Sequence, residues 1–348
     1  MPQAEDASHP RTATVGRVRR PTMTDIAARA GVSQSLVSLV FRNQPGASAQ
    51  TRERVFEVAR ELGYHPDGAA QLLRSTRSRQ LGVLFTMRHP HDVDIVEALY
   101  PAASQRGYTV VLSAVVPGRD DQQAIGDLLR MRSEAVIVIG SGASPRQLAA
   151  IAGQVPVVDI NRRSRADGVD SVRTAEATGM RQAVDHLAGL GHQAITHVDG
   201  GAMPGAAERR RGYRDAMRRH GLTRNINILP GDYTEEAGAQ AARDMLAGDD
   251  LPTAIIAGND RSAHGVLGAF LRAGIHVPGD VSVVGYDDSR LAQLSFIDLT
   301  SVRQDATDVA ELAVQAVAER LDEGRTTERD IVLQPTLIVR GSTGHARR

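Results

Sequence analysis

The stretch TMTDIAARAGVSQSLVSLVF, residues 22–41, decides how the chain begins to fold. Met23, Ile26, Ala27 and Ala30 fall at helical spacing and give one short helix a single apolar face. Gly31 stops it with the residue that best tolerates positive φ. Ser33 then caps a second helix whose inner side carries Leu36, Val37 and Val40. The loop Asn43-Gln44-Pro45-Gly46 breaks that helix. A third starts at Ser48, with Val55, Val58, Ala59 and Leu62 apolar and Gly63 as its stop. Two short amphipathic helices joined through a glycine turn form the helix-turn-helix pattern.

In that pattern the second helix lies in the major groove of DNA, its N-terminal residues toward base edges. Gln34, Ser35 and, one turn on, Leu39 are the expected base contacts. Gln can pair with adenine through two hydrogen bonds, whereas Leu offers only apolar contact, for example to a thymine methyl. Thr22, Ser33, Ser38, Arg42, Thr51 and Arg52 are the expected phosphate contacts, which fix register without reading sequence. A three-helix bundle that binds protein, or nothing, shows the same periodicity, and the pattern alone leaves that reading open.

Charge distribution favours a nucleic-acid partner at this end. Residues 1–80 hold 12 Arg against 7 Asp plus Glu, a balance of +5; the remaining 29 Arg and 34 acids give −5. All 41 cationic residues are Arg. Cysteine is absent, so disulfides, thiolate metal sites and cysteine nucleophiles are excluded. No run of 18 apolar residues occurs, and the first twenty residues lack the apolar core of a secretory signal. No membrane association is expected, and the expected location is the cytoplasm.

From Leu81 onward the texture changes. The runs LGVLF, YTVVLSAVV, AVIVIG, VPVVDI, AITHVDG, TAIIAG and VSVVGY alternate with helix-length amphipathic stretches. Such βαβ alternation implies parallel sheets covered by helices on both faces, and its length to about residue 340 suggests two α/β lobes.

Residues 22–74 resemble the head of the lactose-repressor/galactose-repressor family of bacterial transcriptional regulators. The matching elements are DIAARAGVS, TRERV, LGYHP and AAQLLR. The resemblance extends through AIIAGNDRSAHGVLGAFLRAG, VPGDVSVVGYDD, LTSVRQD and PTLIVRGST. It implies an all-α head on a two-lobed, periplasmic-binding-protein-like body: a disordered lead-in (1–20), a helix-turn-helix domain (21–66), a hinge helix and linker (67–80) and an effector body (81–341). Lobe 1 is expected at about 81–162 and 306–333, and lobe 2 at about 164–303 and 335–341. The three crossings would fall near Asn161–Ser164, Arg303–Ala306 and Gln334–Pro335.

By the same resemblance, the hinge helix forms on the operator, with Ala70 and Leu73 toward the minor groove and Leu73 wedged at a flexible base step. Four departures from the family pattern bear on the operator: Leu36 for the preferred Thr, Arg42 for Asn, Asp67 for Asn, and Leu39 for a frequent Arg or His. A homodimer on a palindromic operator is implied, since one head covers a half-site. The chain stops at Arg348 without the leucine-heptad tail of tetrameric relatives, which is why a dimer is expected.

The effector, a sugar by family default, is expected in the cleft between lobes, at the carboxyl ends of parallel strands. Asn161, Asn259 and Asp287 end strands there, and the resemblance adds Arg209, Tyr233 and Gln304. Asp260 is expected to cap the following helix. The segment HPHD, residues 89–92, diverges most, and its His89, His91 and Asp92 carry no assigned role; a metal site is not expected from it. No phosphate loop, nucleophile elbow or zinc-protease motif occurs, and His186, His192 and His197 read as structural. Neither cofactor nor enzymatic activity is expected. The alternative of another class is a solute-binding receptor that uses the body without gene regulation.

Overall fold

A computed structural model describes residues 21–42, 44–64, 77–87, 89–248 and 250–347, and the chain divides into two compact units, residues 1–77 and 78–348. The expected lead-in and the hinge residues Ala70 and Leu73 lie outside the described residues.

The head holds three helices: α1 (Met23–Ala30), α2 (Gln34–Phe41) and α3 (Ala49–Glu61). Each starts on a hydroxyl that accepts a backbone N–H of the first turn: Thr22, Ser33 and Ser48. At α1, Asp25 reaches back to the Thr22 N–H at 2.7 Å, completing a capping box. Gly31 turns the chain at φ 70°, a left-handed conformation that a β-carbon would strain. Ile26, Val37, Val40 and Val55 close the core, with Phe41 set edge-on to Phe56 at 5.5 Å. Leu36, expected in that core, is only half-buried.

Two six-stranded sheets form the body. In lobe 1 the strands are β1 (Gln80–Thr86), β2 (Thr109–Val115), β3 (Ala135–Ile139), β4 (Val157–Ile160), β5 (Val169–Thr174) and β11 (Asp330–Leu333). Their order is β11-β5-β4-β3-β1-β2, all parallel. Helices α4 (Pro90–Gln105) and α11 (Ala306–Leu321) cover one face through Ile95, Leu99, Ala313 and Val317. On the other face lie α5 (Asp121–Arg130) and α6 (Pro145–Ala152), held by Leu128 and Leu148. These side chains are fully or almost fully withdrawn from water, and burial of each leucine, isoleucine or valine among them contributes roughly 1.5–3 kcal/mol.

Lobe 2 repeats the plan with β6 (Ile195–Val198), β7 (Asn227–Leu229), β8 (Ala254–Ala257), β9 (Ser282–Asp287), β10 (Thr300–Arg303) and β12 (Thr336–Ile338). Its order is β12-β10-β9-β8-β6-β7, antiparallel only at β12. Helices α7 (Glu176–Gly189) and α8 (Ala206–Arg219) cover one face, α9 (Glu235–Leu246) and α10 (Asp260–Ala273) the other.

The first crossing between lobes corrects the sequence reading. It lies after Thr174, not at Asn161–Ser164, because β5 pairs between β4 and β11 in lobe 1. Lobe 1 therefore extends about ten residues further than its apolar runs suggest. The cause is a polar strand, VDSVRT, made burial-compatible from outside: Asp170 accepts hydrogen bonds from Arg320, from Arg325 at 2.7 Å and from the Arg329 N–H at 2.8 Å. The other two passages run from β10 to α11 and from β11 to β12. At the crossings the Ala175 N–H donates to the Leu333 carbonyl at 2.9 Å, which ties the first and third together.

Candidate functional site

The expected base contacts lie on α2. Gln34 and Ser35 are exposed on its first turn, while Leu39 is half-buried. The expected phosphate contacts differ in how free they are. Thr22 Oγ1 donates to Asp25, and Ser33 Oγ caps the Leu36 N–H and meets Ser35 Oγ at 2.9 Å. Thr51 shares a hydrogen bond with Ser48 at 2.8 Å, and Arg42 folds back onto the Ser38 carbonyl at 3.1 Å. Arg52 donates to the Gln44 carbonyl. Thr22, Ser33 and Thr51 thus shape the helix starts, where backbone N–H groups favour anions. Arg29, not singled out from sequence, pairs with Glu61 at 3.1 Å and ties α1 to α3.

In the body, the carboxyl ends of both sheets converge on a cleft of about 450 Å³ including its open mouth. Asn161, Arg209, Tyr233, Asn259, Asp287 and Gln304, the six residues expected from sequence, all line it. So do Glu176, His89, His91 and Asp92. The lining comes from the ends of β1, β3 and β4 on one side, and on the other from the ends of β8, β9 and β10, the segments after β6 and β7 and the first turns of α7 and α8. Strand order changes direction at β1 in lobe 1 and β6 in lobe 2, the topological switch points where such sheets leave a crevice.

Arg209 organises the lobe-2 wall. Its guanidinium sits 3.7 Å over the Tyr286 ring, donates to Glu176 through Nε at 2.8 Å and Nη2 at 3.3 Å, and donates to the Gly258 carbonyl at 2.6 Å. Asp287 Oδ1 stands 3.6 Å from Nη2. Burial opposes the Arg209 charge, but Glu176 and then Tyr233 and Asp287 hold the group protonated. Glu176 was missed in the sequence because it is the second residue past the true first crossing.

Asp287 adopts φ 107° at the end of β9, and its Oδ1 accepts from Gln304 Nε2 at 2.8 Å. Burial raises its carboxyl above the usual range, with Arg209 and Gln304 opposing. Tyr233, at φ 68°, packs its ring against Arg209 at 5.2 Å and edge-on to His89. Asn259, not Asp260, caps α10: its Oδ1 accepts from the Ser262 N–H at 2.9 Å, and Nδ2 donates to the Tyr233 carbonyl at 3.2 Å. One Nδ2 hydrogen is left over. Asp260 instead accepts from the Ser289 N–H at 2.7 Å and from Ser301 Oγ at 2.6 Å, joining the β9 and β10 ends. Asn161 turns the chain at φ 70°, with its Oδ1 buried and unpartnered.

No group of three His, Cys, Asp or Glu able to hold a metal occurs among the described residues. No helix there is long and apolar enough to cross a membrane. His192 bridges Thr253 and the Gly344 carbonyl at 3.0 Å each, and His197 is bonded to the Ile256 carbonyl at 2.9 Å. Both are structural.

Comparison with known proteins follows the same division. The profile described as "Bacterial regulatory proteins, lacI family" matches residues 22–67, and "Periplasmic binding protein-like domain" matches 184–343. The HTH-type transcriptional regulator AscG of Escherichia coli (strain K12) is 31% identical, covering 87% of this chain and 93% of the relative. A LacI transcriptional regulator from a Rhodococcus species is 43% identical over 77% of this chain and 99% of its own, with TM-score 0.75. The lac repressor dimer bound to operator and the anti-inducer ONPF is 28% identical, covering 94% and 100%, with TM-score 0.78. The CelR–cellobiose complex is 29% identical, covering 93% and 100%, with TM-score 0.68.

A helix-turn-helix head on a two-lobed body of this kind is a DNA-binding transcriptional regulator, not an enzyme. The chain belongs to the lacI family of bacterial regulatory proteins. The solute-receptor alternative leaves the match over residues 22–67 without a purpose and is set aside.

Proposed function

We propose that this regulator is a cytoplasmic repressor that binds a palindromic operator as a homodimer and is controlled by a sugar in its interlobe cleft. The observation that carries this reading is the convergence of polar side chains from both lobes on one cleft, with Asn161 Oδ1, Gln304 Oε1 and His91 Nε2 buried there without a hydrogen-bond partner. Buried polar atoms normally have partners, and hydroxyl groups of a ligand can supply them. The cellobiose complex and the operator-bound dimer among its relatives point the same way. Gln34, Ser35 and Leu39 are the proposed base contacts, with Ala70 and Leu73 in the minor groove.

Ligand that bridges both lobes favours one lobe arrangement and thereby alters operator affinity. Coupling of about 1–3 kcal/mol corresponds to roughly 5–150-fold. Mobility shift on selected palindromic DNA, with and without each sugar of a screen, tests the proposal. The expected result is a sequence-specific complex whose midpoint moves with one sugar. Asp287→Asn should remove that response and keep ligand-free DNA binding. A chain indifferent to every duplex, or to every ligand while on its site, would end it.

A further inference from the structure

Resting on the cleft reading above, we infer that His91 and Asp92 form part of the lobe-1 side of the effector site and select a polyhydroxylated ligand that is uncharged or bears an ammonium, against its carboxylated or phosphorylated counterparts. The two residues stand in the first turn of α4, directly after β1 and Pro90. Both are 4% exposed, yet both line the cleft. His91 Nε2 has no hydrogen-bond partner. Asp92 receives only the Thr86 hydroxyl, at 3.2 Å, and forms no ion pair among the described residues. It does not cap its own helix either, since no side-chain cap bond is made at α4. Room for it is built in: a β-carbon on Gly140, which sits at φ 60°, would lie 2.5 Å from Asp92 Oδ2.

The charge balance decides what fits. Three lining carboxylates, Asp92, Glu176 and Asp287, face one lining guanidinium, Arg209. That guanidinium is already engaged by Glu176 and the Gly258 carbonyl. Burial, and next the charge of Asp287, push the Asp92 carboxyl up to about 7. The dipole at the start of α4 favours its anion but does not outweigh those two. Burial lowers His91 to about 4, so it is neutral and supplies no cation at pH 7. A hydroxyl or ammonium hydrogen can satisfy Asp92 and His91 Nε2. A ligand carboxylate or phosphate finds no free cation instead, and lies beside acidic side chains that Arg209 does not all neutralise.

The test uses the full chain and matched probe sets built on glucose, galactose, mannose and ribose: the neutral sugar, its amino form where one exists, the sugar acid and the phosphate. Melting temperature and titration calorimetry should show the neutral or amino member bound at least tenfold tighter than the acid or phosphate in any set that binds. Equal or tighter binding of an acid or phosphate overturns the inference, as does silence from all four sets. Asp92→Asn and, separately, His91→Phe should each weaken the bound sugar at least tenfold, and Asp92→Asn should narrow discrimination against the acid. The ligand-free Asp92→Asn protein should melt no lower than wild type, which a purely structural carboxylate would not allow. Unchanged affinity in both variants overturns the assignment of these residues. Failure of the wider cleft reading looks different: sugar binding would survive Asp287→Asn and leave operator affinity unmoved.

Discussion

Arg209 and Glu176 form a bidentate ion pair, Nε to Oε2 at 2.8 Å, with both side chains almost wholly removed from water. The pair joins α8 to the start of α7, where the chain has just entered lobe 2. It also fixes the guanidinium plane against Tyr286, whose hydroxyl donates to the Glu176 carbonyl at 3.3 Å.

Removing one partner leaves the other charged and buried. Glu176→Ala is expected to cost about 3–5 kcal/mol, since Asp287 alone, 3.6 Å away, then offsets the desolvation of Arg209. Urea denaturation of the ligand-free protein measures this; a loss under about 1 kcal/mol would show that Asp287 and water suffice to hold Arg209.

Asp170 makes the same point for lobe 1. Its side chain is fully buried and binds Arg320 and Arg325, each only 11% exposed. Asp170→Ala is expected to destabilise by about 3–5 kcal/mol and to loosen β5 and β11 first. Hydrogen exchange at the β5 amides reports the second effect, and uniform protection loss across both lobes would contradict it. Its carboxyl is held below the usual range by Arg320, Arg325 and the Arg329 N–H against the cost of burial. Stability from Asp170 is therefore present above the unfolded-state pKa and lost as pH falls through the lower folded value.

His197 carries a second acid sensitivity of the same sign, set by a buried neutral base in place of a buried anion. Burial lowers it from 6.5 to about 4, despite the Ile256 carbonyl and Asp199. The folded protein keeps it neutral while the unfolded chain takes up a proton, so its stabilising share is complete above pH 6.5 and falls away toward pH 4. Relative to His197→Phe, the wild type should lose about 3 kcal/mol across that window. Melting curves of the two proteins at matched pH values measure the difference, and a constant gap would refute a buried neutral imidazole.

On the DNA side, Gln34→Ala should relax sequence preference at one base pair and cost about 1–3 kcal/mol on the operator. Non-specific affinity and the salt slope should stay unchanged, because no phosphate contact is removed. Leu73→Ala should lower specific binding far more than non-specific binding. Binding isotherms on operator and scrambled DNA separate these cases; equal losses on both would exclude a base-reading or wedging role.

The sequence by itself determined the head and the plan of the body. Helical spacing at Met23, Ile26 and Ala30, the hydroxyls at the helix starts and Gly31 are local signals that need no distant partner. The apolar runs of the parallel strands are equally local, because strands buried on both faces leave no polar alternation. All six cleft residues named from sequence line the cleft: Asn161, Asn259 and Asp287 because strand ends are marked by where those runs stop, and Arg209, Tyr233 and Gln304 because the family resemblance placed them. Tertiary structure alone decided the rest. VDSVRT has no apolar run and becomes an interior strand, next to the edge strand β11, because arginines some 150 residues away neutralise Asp170. That hidden strand displaced the first crossing and concealed Glu176 behind it. Charge burial depends on what long-range folding sets beside a group, and no spacing along the chain records it.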